Sequence, residues 1–186
     1  MKTLAVITLT GLIFASANVF AQDNNNDSHN ISINIPEVAL LDLEGGSSIT
    51  LAPTAPTEAG DALDFSNATD NSTWVNYSSI VPSGTTRDVT AAITSGTVPS
   101  GLVLKVTAGS YSGSGKGTTG TSAGQVTLSS TAQNVISGIG SSYTGDGQDN
   151  GHNLSYVLEL TSADDYGQLV KDNTSITVTY TITDAN

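Results

Sequence analysis

The stretch SSYTGDGQDNGHN, Ser141 to Asn153, packs two aspartates, two asparagines, a histidine and three glycines into thirteen residues. Asp146, Asp149 and Asn150 offer the oxygen ligands that suit Ca²⁺, which accepts irregular cages completed by carbonyls. An EF-type loop started at Asp146 matches at Gln148, Asn150 and Gly151, but its twelfth position is Val157, where a glutamate is needed. That pattern is therefore excluded, and a different calcium loop stays open. The competing reading is a connector between strands: Gly145, Gly147 and Gly151 permit positive φ, and Asp and Asn close Asx turns. We favour the connector.

Trp74 and Tyr77, in WVNYSSI, are the next candidates, as a platform on which a sugar ring could stack. Against this, a lone tryptophan in a strand usually packs in a core, where aromatic area dominates the energetics. Three catalytic look-alikes fall in the glycine-serine run 109–124. Gly120-Thr121-Ser122-Ala123-Gly124 matches G-x-S-x-G without the strand-to-helix turn of a nucleophile elbow. Gly115, Gly117 and Gly120 match a dinucleotide fingerprint without a βαβ unit, and GSGKGT places Gly117 where a P-loop needs Ser or Thr. His152 is the one histidine outside the amino-terminal tail, so any Ser-His-Asp arrangement would have to use it. No carboxylate pair is singled out among seventeen acidic residues. The expectation is a protein that is not an enzyme and has no catalytic residues.

The bulk numbers narrow the class. Four basic residues, Arg87, Lys105, Lys116 and Lys171, remain beyond Lys2 against seventeen acidic ones, which argues against nucleic acid as a partner. There is no cysteine, hence no disulfide and no thiolate site. Lys2, the apolar run Leu4 to Phe14 and Val19-Phe20-Ala21 together read as a secretory signal peptide over 1–21, with cleavage before Gln22. The apolar run is too short to stay behind as a transmembrane segment of the mature chain. Residues 22–30, QDNNNDSHN, contain nothing apolar and read as a disordered tail. Residues 31–186 then form a single domain, exported to the periplasm, the cell surface or the medium.

These residues must be positioned by strands. ISINI puts Ile31, Ile33 and Ile35 on one side of an extended segment that Pro36 ends. VALLDLE (38–44) and SITLA (48–52) flank Gly45-Gly46 and read as a hairpin, and 52–73 reads as loop with room for one short strand. VPSG at 81–84 and 98–101 makes two turns that bracket the strand RDVTAAIT. LVLKVTA and LSYVLEL read as strands, 109–124 as a long loop, and QVTLS and NVISGI as short strands or as a strand and one helical turn. SADDYGQL allows one helical turn capped by Ser162. The clearest strand is SITVTYTIT, with Ile176, Val178, Tyr180 and Ile182 on one face and threonines on the other. About eight to ten strands and no sustained helical period predict an all-β fold, an antiparallel β-sandwich. An outer-membrane barrel would need paired aromatic girdles, and aromatics make up 5% of the chain.

INIPEVALLDLE, SGTVPSGLVLKV and GIGSSYTGDGQDNGHNLSY resemble segments of small exported bacterial proteins of unknown function. More distantly, the design resembles pilin and adhesin subunits with immunoglobulin-like sandwiches. That resemblance implies an assembly strand in the amino-terminal extension, completing a neighbour's sheet with Ile31, Ile33 and Ile35. The chain departs from the pattern in lacking a disulfide and a penultimate aromatic. The expected function is a structural or surface protein that binds itself or another surface protein. The rival expectation is a carbohydrate- or calcium-binding sandwich module, with Trp74 and Tyr77 meeting a glycan or Asp146, Asp149 and Asn150 meeting Ca²⁺.

Overall fold

A computed structural model describes residues 25–46 and 48–185. The signal peptide expected over 1–21 lies outside the described residues. The chain divides into two compact units, Met1–Asn34 and Ile35–Asn186. In the first, residues 25–34 are exposed and have no regular secondary structure. Ile31 and Ile33 belong to this unit, and Ile35 opens the second.

The second unit is all-β and antiparallel, with nine strands among the described residues. They are β1 (Val38–Gly45), β2 (Thr69–Ile80), β3 (Arg87–Ser95), β4 (Leu102–Ala108) and β5 (Lys116–Ser122), then β6 (Gln125–Thr127), β7 (Gln133–Tyr143), β8 (His152–Leu160) and β9 (Thr177–Asp184). Hydrogen bonding runs β6-β4-β8-β2-β7-β3-β9, with β1 added to β2 and β5 to β7. The sheet is continuous because β2 changes partner: its first half pairs β8 through Val75, and Ser78 and Ser79 pair β7. Two-residue alternation does most of the rest, and in β7 register shifts against β3 bring Ile136 and Ile139, three positions apart, to one face. Val75 and Tyr77 of β2, Leu104 and Val106 of β4 and Leu154 and Tyr156 of β8 form one arm's inner face. Val89 and Ala91 of β3, Ile136 and Ile139 of β7 and Tyr180 of β9 form the other's. Both sets belong to one core cluster, so the sheet folds over a single interior as a sandwich.

Several expectations need correction, the first being that Thr69–Thr73, within the expected loop 52–73, open β2. The segment 48–52 is not a strand, and β1 pairs β2 instead, from Val38↔Ile80 to Gly45↔Thr73. Ile49 and Leu51 still pack against the core, so their apolar spacing reports burial without a ladder. The long loop 109–124 contains β5, which pairs β7 from Lys116↔Tyr143 to Ser122↔Ile136. Glycine makes that pairing possible: at Gly117, φ 101°, a Cβ would lie 2.2 Å from the Ser141 carbonyl oxygen.

Elsewhere the local chemistry holds, except that Ser162 does not cap its helical turn as expected. Both VPSG turns close, Thr85 N donating to Pro82 O at 3.2 Å and Leu102 N to Pro99 O at 3.1 Å. Ala163–Gln168 is a short 3₁₀ helix after Ser162. The Ser162 hydroxyl donates to the Asp165 carboxylate at 3.0 Å and makes no backbone cap. Arg87 closes one end of the sandwich from a buried position. Its guanidinium donates to Val38 O (2.5 Å), Ile80 O (3.1 Å), Ser79 Oγ (3.3 Å) and Asp184 Oδ1 (3.1 Å), and pairs with Glu37. One cation thus joins the start of β1 to the ends of β2 and β9. No helix of the described residues is long and apolar enough to cross a membrane.

Candidate functional site

The most site-like surface forms on the outer side of β2. Thr73, Val75, Tyr77 and Ser79 are buried, so the alternate residues Trp74, Asn76, Ser78 and Ile80 lie on the opposite face. Register sets their neighbours. Glu44, Asp42, Leu40 and Val38 of β1 stand opposite them in that order, and Tyr143 of β7 stands opposite Ser78 on the other side. The row Leu40–Ser78–Tyr143 therefore crosses three adjacent strands, with the smallest side chain in the middle.

The result is a groove of about 310 Å³ lined by Leu40, Asp42, Asn76, Ser78, Tyr143 and Asp146 among others. Leu40 and Tyr143 form its walls and are 66% and 51% exposed. Asn76 lies in the floor at 4% exposure; its Nδ2 donates to Gly147 O at 3.0 Å, and its Oδ1 has no partner. A second, more apolar hollow of about 470 Å³ lies beyond, between Ile35, Ile80, Val81 and Pro82.

The loop before β8 forms the acidic rim. Asn150 holds it together: its Oδ1 accepts from Ser114 N (3.2 Å) and Ser114 Oγ (3.4 Å), and its Nδ2 donates to Asp146 O (2.9 Å). The Asn150 side chain is thus committed to the loop. Asp149 is exposed with φ 66°, and Asp146 is exposed beside the groove. Among the described residues no group of three or more His, Cys, Asp or Glu side chains is placed to hold a metal ion. The structure joins Asp146 to Asn150 through the loop and sets it with Asp42 along the groove, whose lining does not include Asp149.

Trp74 and Tyr77 are not brought together. Three positions apart in one strand, they face opposite sides: Trp74 is half-buried on the outer row, and Tyr77 is 4% exposed in the core. Burial pushes the Tyr77 phenol well above its ordinary range, and Tyr111 nearby pushes it the same way. Its hydroxyl donates to Thr119 O and lies 3.0 Å from His152 Nε2, with the two rings stacked at 5.9 Å. His152 is fully buried, with Nδ1 2.8 Å from Gly109 O and Nε2 3.1 Å from Thr119 O. Its hydrogen-bond partners are two carbonyls and a phenol, with neither a serine hydroxyl nor a carboxylate among them. The cluster pins the 109–122 segment to β2 and β8.

The catalytic look-alikes resolve into strand and turn: Ser122 ends β5 and its hydroxyl accepts from Gly124 N at 3.1 Å before β6 begins. Ile31, Ile33 and Ile35 are 74%, 82% and 73% exposed. Sequence reasoning passed over Leu40, Asp42, Asn76 and Tyr143, because only the β1–β2–β7 register gathers them. The one local signal was an aromatic, Tyr143, directly before a glycine-rich acidic loop. No protein-family model matches the chain, and no curated protein or solved structure is significantly similar to it.

Proposed function

We propose that this protein is a non-catalytic, exported β-sandwich subunit of a cell-surface structure, which self-associates through the segment Ile31–Ile35. The reading rests on three β-branched apolar side chains at alternate positions, each more than 70% exposed in the single chain. Burying such a side chain stabilises by roughly 2 kcal/mol, so three leave a substantial gain unclaimed until a partner covers them. Five residues of this kind suit addition to a sheet edge, where backbone hydrogen bonds bind and alternate side chains select.

A receiving edge is at hand. Among the described residues strand β9 pairs β3 alone, and from Thr177 to Thr183 it carries no charge and no proline, the usual protections of an exposed edge. The signal-like 1–21 sequence suits an exported protein.

Sedimentation of the processed chain over a wide concentration range tests the proposal. Concentration-dependent oligomers that Ile33→Asp abolishes are expected. A strict monomer at high concentration overturns the assembly reading.

A further inference from the structure

We infer that the groove between Leu40 and Tyr143 is a saccharide-binding site that takes one pyranose ring edge-on between these two side chains. This goes beyond the assembly reading and uses different residues. Leu40 and Tyr143 stand on either side of Ser78 in register, two strand spacings or about 9.6 Å apart. A ring in van der Waals contact with both walls occupies about 7–8 Å of that gap. Ser78 beneath is small enough to leave the floor clear. The apolar faces of a pyranose meet leucine on one side and an aromatic ring on the other.

The polar groups specify what the ligand must bring. Asp42 uses Oδ1 to accept Leu43 N at 2.8 Å, which leaves Oδ2 for a ligand. Asp146 receives Asn150 Nδ2 on its backbone carbonyl, so its carboxylate is not spent on that bond. Asn76 in the floor is committed inward, its Nδ2 donating to Gly147 O at 3.0 Å and its Oδ1 buried against Gly151. Among the described residues no lysine, arginine or histidine lines the groove, and the cation next to it in register is Lys116 of β5, opposite Tyr143 on the side away from Ser78. The site is rich in acceptors and poor in donors. It repels phosphate, sulfate and carboxylate groups, and it selects a ligand that carries donors around an apolar body. Hydroxyls on a pyranose fit that description, and a sugar ammonium fits it as well.

A basic extended peptide would also bring donors, but it would lack its usual purchase. Peptides bind sheets by pairing with a free edge, and at Ser78 and Ser79 strand β2 is already paired with β1 on one side and β7 on the other.

Calorimetric titration of the full processed chain with cellotetraose, with a chitosan tetrasaccharide and with a Lys-Val-Lys-Val peptide tests the inference. Binding of at least one saccharide is expected, weakened roughly tenfold or more by Tyr143→Ala and by Asp146→Asn. Both residues are exposed, so their thermal midpoints should match the parent, which separates lost binding from lost folding. Ile33→Asp should leave saccharide binding unchanged even where it abolishes self-association. Silence from both saccharides and from a broad glycan array overturns the inference. Binding of the peptide alone, or saccharide binding that ignores both substitutions, overturns it too.

Discussion

The hydroxyls of Tyr156 and Tyr180 meet at 2.7 Å in the interior. Tyr156 lies on β8 and Tyr180 on β9, strands that β2, β7 and β3 separate in the hydrogen-bonded order. Laid flat, four strand spacings would hold them about 19 Å apart. Their contact therefore measures the folding of the sheet: this bond links the two layers across the core.

Removing one hydroxyl should leave the other buried without its partner. Tyr180→Phe and Tyr156→Phe are each expected to cost about 1–2 kcal/mol. The double variant should cost less than the sum, since the second loss removes a group already orphaned. Urea unfolding of the four proteins measures this, and strict additivity would mean that the bond contributes nothing.

Burial raises the pKa of Tyr77, Tyr156 and Tyr180 above the ordinary phenol value of 10.0. Each folded phenol then holds its proton where the unfolded one releases it. The stabilisation is fully present below pH 10 and is lost as pH rises beyond it toward the folded values. Melting temperatures measured from pH 8 to pH 11.5 should fall steeply only in the upper part of that range. A flat profile would show that these phenols are not protected.

Arg87→Ala should destabilise by about 2–4 kcal/mol, chiefly because the carbonyls of Val38 and Ile80 lose their donor. The ion pairs contribute less, as Glu37 and Asp184 are largely exposed to water. Arg87→Lys should not restore stability, since an ammonium cannot reproduce the fork that reaches β1, β2 and β9 together. Thermal melts distinguish the two variants, and full rescue by lysine would contradict the fork geometry.

Gly151→Ala should cost more than about 2 kcal/mol. Its φ is 83°, and a Cβ there would lie 2.1 Å from the Val75 carbonyl oxygen, in backbone that cannot yield easily. Gly147→Ala is the control. It shares positive φ (89°) but has nothing within 4 Å, so only the backbone strain remains. Equal losses at both sites would show that the close approach does not matter.

Calcium offers a separate test of the loop. With Asn150 bonded to Ser114 and Asp149 turned into solvent, millimolar Ca²⁺ followed by chelation should leave the melting temperature unchanged. A rise that grows with Ca²⁺ concentration, as linkage requires of a ligand of the folded state, would support the calcium loop of Asp146, Asp149 and Asn150.

Much of the fold was legible because alternation is local. Val178, Tyr180 and Ile182 face inward in β9 as their spacing demands, and Val89 with Ala91 do so in β3. The two VPSG turns were readable for the same reason: proline and glycine act on the backbone where they stand. β5 was hidden because Lys116–Ser122 is built from Gly, Thr, Lys and Ser, and shows no apolar period. Its order comes from β7, not from its own side chains.

The sequence alone settled that the described chain is built from strands with one oily face, that it is strongly acidic, and that no disulfide holds it. Tertiary structure decided which strands pair. It sent β1 to β2 across more than twenty intervening residues instead of to 48–52, turned Tyr77 inward and Trp74 outward, and set Leu40 and Tyr143 on either side of Ser78. The division has a physical cause. Side-chain alternation and turn geometry are properties of a few neighbouring residues, whereas register is fixed only when distant segments compete to bury their faces in the same core.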